Sequence, residues 1–225
     1  MSLEQLAAVL AIAIPLTIFS ACGRLPGQPS PSARPQIPSQ VTNFGELYNV
    51  NCAGCHGVDG HFGGALPLNN PAYLALVDDA SMRSAIANGV SGTSMPAFAV
   101  NAGGMLTDNQ ITVIVNGIRS QWGAEATRVE GMPPYLSSAV GDAAQGEKLF
   151  GDYCASCHGP GGTEGMAGAI ADPSFLALYN DQTLRTLIIA GRPDFDHPGW
   201  RDYPHKPALD SGQVSDIVAW LAVKR

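Results

Sequence analysis

The 225-residue sequence predicts a mainly α protein built as two small helical domains in tandem. The first observation is an internal repeat. Cys52, Cys55, His56 and Gly57 recur 102 residues later as Cys154, Cys157, His158 and Gly159, and the match continues through Pro71/Pro173, Leu74/Leu176, Asp79/Asp181, Arg83/Arg185, Ile86/Ile188, Gly89/Gly191 and Pro96/Pro198. Self-similarity of this length marks a duplicated unit. The second observation is an apolar stripe near the end of each copy, Ile111, Ile114, Val115 and Ile118 in one and Val214, Ile217, Val218 and Leu221 in the other, spaced as one helix face. The third is composition: 14% charged residues with 26 Gly and 17 Pro suits two compact units with plentiful loops.

Both copies are organised around a short motif, Cys52-Ala53-Gly54-Cys55-His56 and Cys154-Ala155-Ser156-Cys157-His158. C-x-x-C-H is the pattern of covalent haem attachment. Two thiols one helical turn apart can add to the two vinyl groups of one porphyrin, and the adjacent imidazole becomes an axial iron ligand. C-x-x-C alone also serves zinc sites and thiol redox enzymes. Duplication of the whole surrounding unit favours one haem per copy, hence two c-type haems, with covalent attachment at Cys52, Cys55, Cys154 and Cys157. Small domains of this kind lean on the bound porphyrin for much of their core, so neither copy is expected to fold well without it.

Each repeat resembles a small mono-haem cytochrome c domain of the class I kind, with C-x-x-C-H near its start and a Met-Pro ligand segment downstream. The resemblance covers both repeats, about three quarters of the chain. It implies His56 and Met95 as the axial ligands of the first haem, Met95 lying in Gly92-Thr93-Ser94-Met95-Pro96; Met105 is the second candidate. A thioether is the soft sixth ligand of high-potential haems. The second repeat departs from the pattern here: the position matching Met95 is His197, followed by Pro198, and Met166 lies only eight residues after His158. The expected pair for the second haem is therefore His158 and His197, with His205 or an open iron as the alternatives. The resemblance also offers the Pro67 carbonyl as the group that orients His56, and Ala169 stands at the matching place in the second repeat.

Taken in order, residues 1–22 read as a signal peptide with a lipobox or as an N-terminal membrane anchor. The apolar run from Leu6 to Ala21 would span roughly 24 Å as a helix, short of the roughly 30 Å hydrocarbon core. Ile18-Phe19-Ser20-Ala21-Cys22 resembles a bacterial lipobox, which makes Cys22, the one cysteine outside the haem motifs, a candidate for lipidation. The absence of Lys and Arg from the first 23 residues departs from a signal peptide's basic start. Residues 23–40, rich in Pro and Ser, read as a semi-rigid tether. Residues 41–122 form the first domain, with helices through Glu46–Tyr48, over Asp79 to Asn88 stopped by Gly89, and from Leu106 through Ile118 with Thr107 or Asp108 as its cap. Residues 123–140 are linker-like, with Met132 as a packing residue. Residues 141–225 form the second domain, with helices starting at Gln145 and over Ser211–Val223. Between Pro198 and Gln213 the offset grows from 102 to 103, so the ligand loop carries a one-residue insertion beside Trp200, Tyr203 and His205. Arg83 and Arg185 occupy matching positions and read as helix-surface residues.

The net charge of −7 divides as −3 over residues 1–138 and −4 over 139–225, and the first part has no lysine. Nucleic acid is thereby excluded as a partner class, and so is a lysine-ringed docking face. The expectation is a membrane-tethered di-haem cytochrome c at the extracytoplasmic face of a bacterial cytoplasmic membrane, in a respiratory or photosynthetic chain. It would pass single electrons between a membrane redox complex and an exported carrier such as a small cytochrome or copper protein, with membrane lipid engaged through the N-terminus. It would not itself be an enzyme, since no distal catalytic constellation stands beside either motif. The alternatives are a subunit bound permanently in a quinol-oxidising complex or dehydrogenase, and a di-haem peroxidase or thiosulfate-oxidising enzyme.

Overall fold

Side chains that accept from orphan backbone N–H groups set where the helices begin, and the two repeats cap the corresponding helices in the same order, with a different residue at each place. A computed structural model describes residues 35–137 and 139–225. In the first repeat, Asn43 caps α1 (Phe44–Asn51), Asn70 caps α3 (Pro71–Leu76) and Asp78 caps α4 (Asp79–Asn88). A capping box of Thr107 and Gln110 opens α5 (Asp108–Trp122). Between α1 and α3 the motif forms one short helix, α2 (Ala53–His56). The second repeat answers with α6 (Ala143–Tyr153, capped by Asp142), α7 (Ala155–His158), α8 (Pro173–Leu176, Asp172), α9 (Asp181–Ala190, Asn180) and α10 (Ser211–Ala222, an Asp210–Gln213 capping box). Pro71 and Pro173 stand at the start of their helices, where the missing N–H costs nothing. Among the described residues there is no strand, only the isolated bridges Ala99–Leu106 and Arg192–His197.

The first and last helices of each repeat pack against each other. In the first repeat Phe44 on α1 presses on Gly117 of α5, where an added Cβ would lie 2.0 Å from the ring. In the second the sizes are exchanged: Gly146 of α6 sits in the place of Phe44, Trp220 of α10 in that of Gly117, and a Cβ on Gly146 would lie 2.0 Å from the Asp216 carbonyl oxygen. Each repeat has its own apolar core, one around Tyr48, Ile111, Ile114 and Ile118, the other around Phe150, Leu176, Ile189, Ile217 and Trp220.

Both repeats lie within one compact unit, Ser39–Arg225. Their cores interlock: Leu76 of the first repeat is buried in the second core, and Ala190 of the second joins the first. Full burial of a leucine contributes about 1.5–3 kcal/mol. The buried Asn70 amide donates across the junction to the carbonyls of Ala190 (3.1 Å) and Gly191 (3.3 Å). The connecting segment is also fastened: Met132 packs in the second core as expected, and Tyr135 touches both cores. Arg185 overturns the surface reading. It is 3% exposed and donates to the carbonyls of Pro134, Tyr135 and Ser211 and to the hydroxyls of Ser211 and Ser215. Arg83 is partly exposed and holds Thr112 and the Asp108 carbonyl on α5. The expectations for residues 1–22 and for most of the tether, Cys22 included, fall outside the described residues.

Candidate haem sites

In the first repeat, α1 ends at Cys52, whose N–H donates to the Tyr48 carbonyl (2.8 Å), and the chain turns into α2. Gly57 then reverses direction at φ 84°, where a Cβ would lie 1.8 Å from the His61 carbonyl oxygen. This turn brings Leu66 back beside the motif, and the His56 Nδ1–H donates to the Leu66 carbonyl at 2.7 Å. The orienting group is therefore Leu66 and not Pro67, one residue away. With Nδ1 so engaged, Nε2 is the nitrogen left for a metal. Burial draws the His56 imidazole below its usual range, which keeps it neutral and able to ligate.

His56 faces a cavity of about 400 Å³ whose walls include Cys52, Cys55, Met95, Pro96 and Phe98. Met95 is held by its loop. Gly89 ends α4 at φ 71°, Val90 N–H donates to the Met95 carbonyl (3.1 Å), the Thr93 hydroxyl accepts from Met95 N–H (3.2 Å), and Phe98 N–H donates to the Ile86 carbonyl (3.1 Å). Met105, the second candidate, is 80% exposed and does not line the cavity.

In the second repeat His158 is buried and its Nδ1–H points at the Gly168 carbonyl at 3.3 Å. Gly168 is the counterpart of Leu66, so both histidines are held from the same place, and Ala169 is not involved. His197 stands opposite, its ring centre 5.8 Å from that of His158. Its backbone exchanges two 3.0 Å hydrogen bonds with Arg192, behind a tight turn at Gly191 (φ 68°). Trp200 and Tyr203 of the same loop are buried in the second core, whereas His205 and Met166 are exposed.

Two observations test whether these residues fit a haem. Among the described residues, His158 Nε2 and His197 Nδ1 are the buried side-chain nitrogens without a hydrogen-bond partner. Buried polar atoms are rarely left so, and an iron between the rings would give His158 Nε2 its missing partner. The four motif cysteines form no disulfide, and burial pushes the Cys52 thiol up to about 11 and the Cys154 thiol up to about 12. Thiols raised in this way are poor nucleophiles at neutral pH, unlike those of thiol–disulfide enzymes. No cluster of three or more metal-ligating side chains occurs among the described residues. The residues fit covalently held haem.

The family model for cytochrome C oxidase, cbb3-type, subunit III matches residues 39–116 and again 141–221. The chain belongs to this family. It is 31% identical over 165 residues to the cbb3-type cytochrome c oxidase subunit FixP of Sinorhizobium medicae, covering 68% of this chain and 52% of that one. It is 28% identical over 149 residues to the subunit CcoP of Cereibacter sphaeroides (59% and 44%). Over 53 residues it is 36% identical to the cytochrome subunit of sulfide dehydrogenase of Chlorobaculum tepidum (21% and 48%). The chain thus spans about half the length of the curated relatives it matches.

The two repeats also touch each other beside these sites. The loop carrying His197 reaches the loop after His56. Asp194 accepts from Phe62 N–H (2.9 Å) and from the Arg192 guanidinium (2.8 Å), and Arg192 donates to the Gly63 carbonyl (2.9 Å). The Asp194 side chain is 3% exposed, and its bond to Arg192 holds its carboxyl below the usual carboxylate range. Wall residues of the first cavity also come from beyond the first repeat: Tyr135, Leu178, Tyr179, Gln182, Thr183 and Thr186. Nothing in their sequence spacing ties these residues to the first cavity. The available signal was Asn70-Pro71, a helix start whose asparagine has a second hydrogen-bonding end.

Proposed function

We propose that the chain binds two c-type haems, through Cys52 and Cys55 and through Cys154 and Cys157, with His56 and Met95 as axial ligands of one and His158 and His197 of the other. It serves as a single-electron carrier. The observation that supports this reading is that Met95 lines the same cavity as His56 and the His197 ring lies 5.8 Å from that of His158, each on a loop that follows an equivalent glycine turn. A protein that fills both axial positions leaves no open iron for a substrate. Bound haem supplies the reversible one-electron couple. The residues supply its environment: Leu66 and Gly168 fix the two ring orientations, and the apolar walls keep water away.

Exchange of thioether for imidazole sets the second site lower in potential than the first, so electrons run from the second repeat to the first. The chain is held through its N-terminus, Cys22 included, at the extracytoplasmic face of a bacterial membrane. There it passes electrons between a membrane redox complex and an exported carrier. A redox titration of the haem-loaded protein beside His197→Met tests this. Two one-electron steps, of which only the lower rises in the variant, support it. Unchanged steps together with carbon monoxide binding at one ferrous haem refute the ligand assignment and favour an enzyme.

The family match favours a second reading, a subunit held permanently in an oxidase-like complex. Co-purification of integral-membrane subunits at near-equal stoichiometry supports that reading, and a monodisperse free protein in mild detergent counts against it.

A further inference from the structure

The two sixth-ligand loops share one backbone plan and differ in a side chain. Val90 N–H donates to the Met95 carbonyl at 3.1 Å, and Arg192 N–H, at the matching position, donates to the His197 carbonyl at 3.0 Å. The valine lines the first cavity, whereas the arginine reaches into the other repeat. Its guanidinium forks onto Asp194 (3.0 and 2.8 Å) and donates to the Gly63 carbonyl (2.9 Å). Gly63 is set against the first motif: a Cβ on it would lie 2.2 Å from the Cys55 carbonyl oxygen and 2.6 Å from the His56 carbonyl carbon. Asp194 in turn accepts from Phe62 N–H. Phe62 (φ 60°) and Asp196 (φ 56°), the residue before the ligand, both lie in the left-handed region. Side chains rarely adopt that conformation, and it persists where the surroundings impose it.

The Met95 loop is held in the converse way. Asn180, the cap of α9 in the second repeat, accepts from Thr183 N–H through Oδ1 and donates from Nδ2 to the Ser91 carbonyl at 2.8 Å. These braces matter most at His197. His56 and His158 are oriented by carbonyls at Nδ1, whereas His197 Nδ1 has no hydrogen-bond partner among the described residues. The His197 ring therefore depends on its backbone for its placement, and that backbone is bonded twice to Arg192 (3.0 Å each).

We infer that each sixth ligand is positioned by the opposite repeat, His197 through the Arg192–Asp194 clasp on the loop after His56 and Met95 through Asn180, so that the two haem sites are coupled through their ligand loops. The inference rests on the haem and ligand reading above. Arg192 and Asn180 are positioning residues, since they act on a ligand through the loop that carries it.

The test uses the full haem-loaded chain, with both haems counted by intact mass. Ligation is read from carbon monoxide binding by the ferrous protein and from the weak red absorption band of thioether-ligated ferric haem. The redox step that carbon monoxide displaces shows which haem binds it. Arg192→Val with Asp194→Gly gives the His197 loop the residues that the first repeat carries at those positions, so the backbone plan stays and the clasp goes. Each hydrogen bond lost raises the fraction of ligand off the iron, and with it the apparent affinity for carbon monoxide, by about two- to tenfold. The double variant should therefore bind carbon monoxide at the second haem about tenfold more tightly or better, with the thioether band unchanged. Arg192→Lys, which keeps the cation and loses the fork, should give a smaller effect in the same direction, and it is read instead if the double variant does not load its second haem. Asn180→Ser keeps a capping hydroxyl and loses the donor to Ser91; it should weaken the thioether band and raise carbon monoxide affinity at the first haem by about two- to tenfold, leaving the second as it was. A clasp variant that melts earlier yet matches wild type in carbon monoxide affinity gives Arg192 a structural role alone and overturns the inference. An unchanged thioether band in Asn180→Ser overturns it for Met95, and equal changes at both haems in either variant overturn it altogether. If wild type carries fewer than two haems, or already binds carbon monoxide at one, the underlying haem or ligand reading fails, and wild type alone reveals it.

Discussion

Replacing Asn70 by alanine should cost the protein about 2–4 kcal/mol, because this one side chain does two separable jobs. Its Oδ1 accepts from Ala72 N–H (2.9 Å) and Tyr73 N–H (3.3 Å) as the cap of α3, while its Nδ2 donates to the Ala190 and Gly191 carbonyls of the second repeat. Loss of a cap costs about 1 kcal/mol. Leaving buried carbonyls without a donor adds about 1–3 kcal/mol. Asn70→Asp separates the jobs, since a carboxylate caps as well as an amide but turns an acceptor toward two acceptors. At neutral pH it should lose the junction part and keep the cap part. The carboxyl introduced there is raised above its unfolded value by the facing carbonyls. Its protonated form can donate to them, so the deficit shrinks as pH falls. Urea unfolding of the haem-loaded protein, followed by circular dichroism, measures both variants. An Asn70→Ala stability within about 0.5 kcal/mol of wild type, a change expected of an ordinary surface site, would refute the assignment, as would an Asn70→Asp variant as stable as wild type at pH 7.

Gly191→Ala should displace the His197 loop, since the added Cβ at φ 68° would lie 2.7 Å from the His197 carbonyl oxygen and from Gly199 N; the backbone alone costs about 1–2 kcal/mol, and carbon monoxide binding to the ferrous second haem reports the lost ligand. Gly151→Ala, in α6 with no atom within 4 Å, is the control and should be neutral or stabilising by about 0.5–1 kcal/mol. The Asp194 carboxyl is depressed in the folded protein by Arg192, so its contribution is complete above the unfolded value of about 3.9 and is lost as pH falls through the folded value. Melting temperatures from pH 7 to pH 3 should therefore fall less steeply for Asp194→Asn than for wild type, and parallel curves would sink the argument. Gly117→Ala should cost about 1–3 kcal/mol through overpacking against Phe44 and much less in a Phe44→Ala background, a coupling that a double-mutant cycle reads directly.

What could be read in the sequence was local. The motif, Thr107 as a cap, Asp79 to Asn88 before Gly89, and the two apolar stripes depend on residues within one or two turns of each other; the helices at Asp79–Asn88 and Ser211–Ala222 form within one residue of the expected bounds, and the one that opens at Asp108 runs four residues past Ile118 to Trp122. The 102-residue offset brought His197 into view from Met95, because a duplication preserves position. Leu66 was missed by one residue, since any backbone carbonyl can accept and side-chain identity carries no signal for it. Arg185 was misread for a different reason. A long cation normally belongs at the surface, and only the path of Pro134 and Tyr135 over α9 gives this guanidinium enough acceptors to be buried. Asn70, Asp194 and Tyr135 join parts of the chain that sequence spacing does not relate.

Tandem copies of one domain carry a hazard during folding, because the opening helix of either copy can seek the closing helix of the other. The exchange of sizes between Phe44–Gly117 and Gly146–Trp220 answers it sterically. A mismatched partnership sets Phe44 against Trp220, two rings where there is room for one, and leaves Gly146 facing Gly117 across a void. Each wrong pairing thus incurs either overpacking or a cavity, while each right pairing fills its space. The duplicated sequence has in this way become two addresses, each directing an opening helix to its own closing helix.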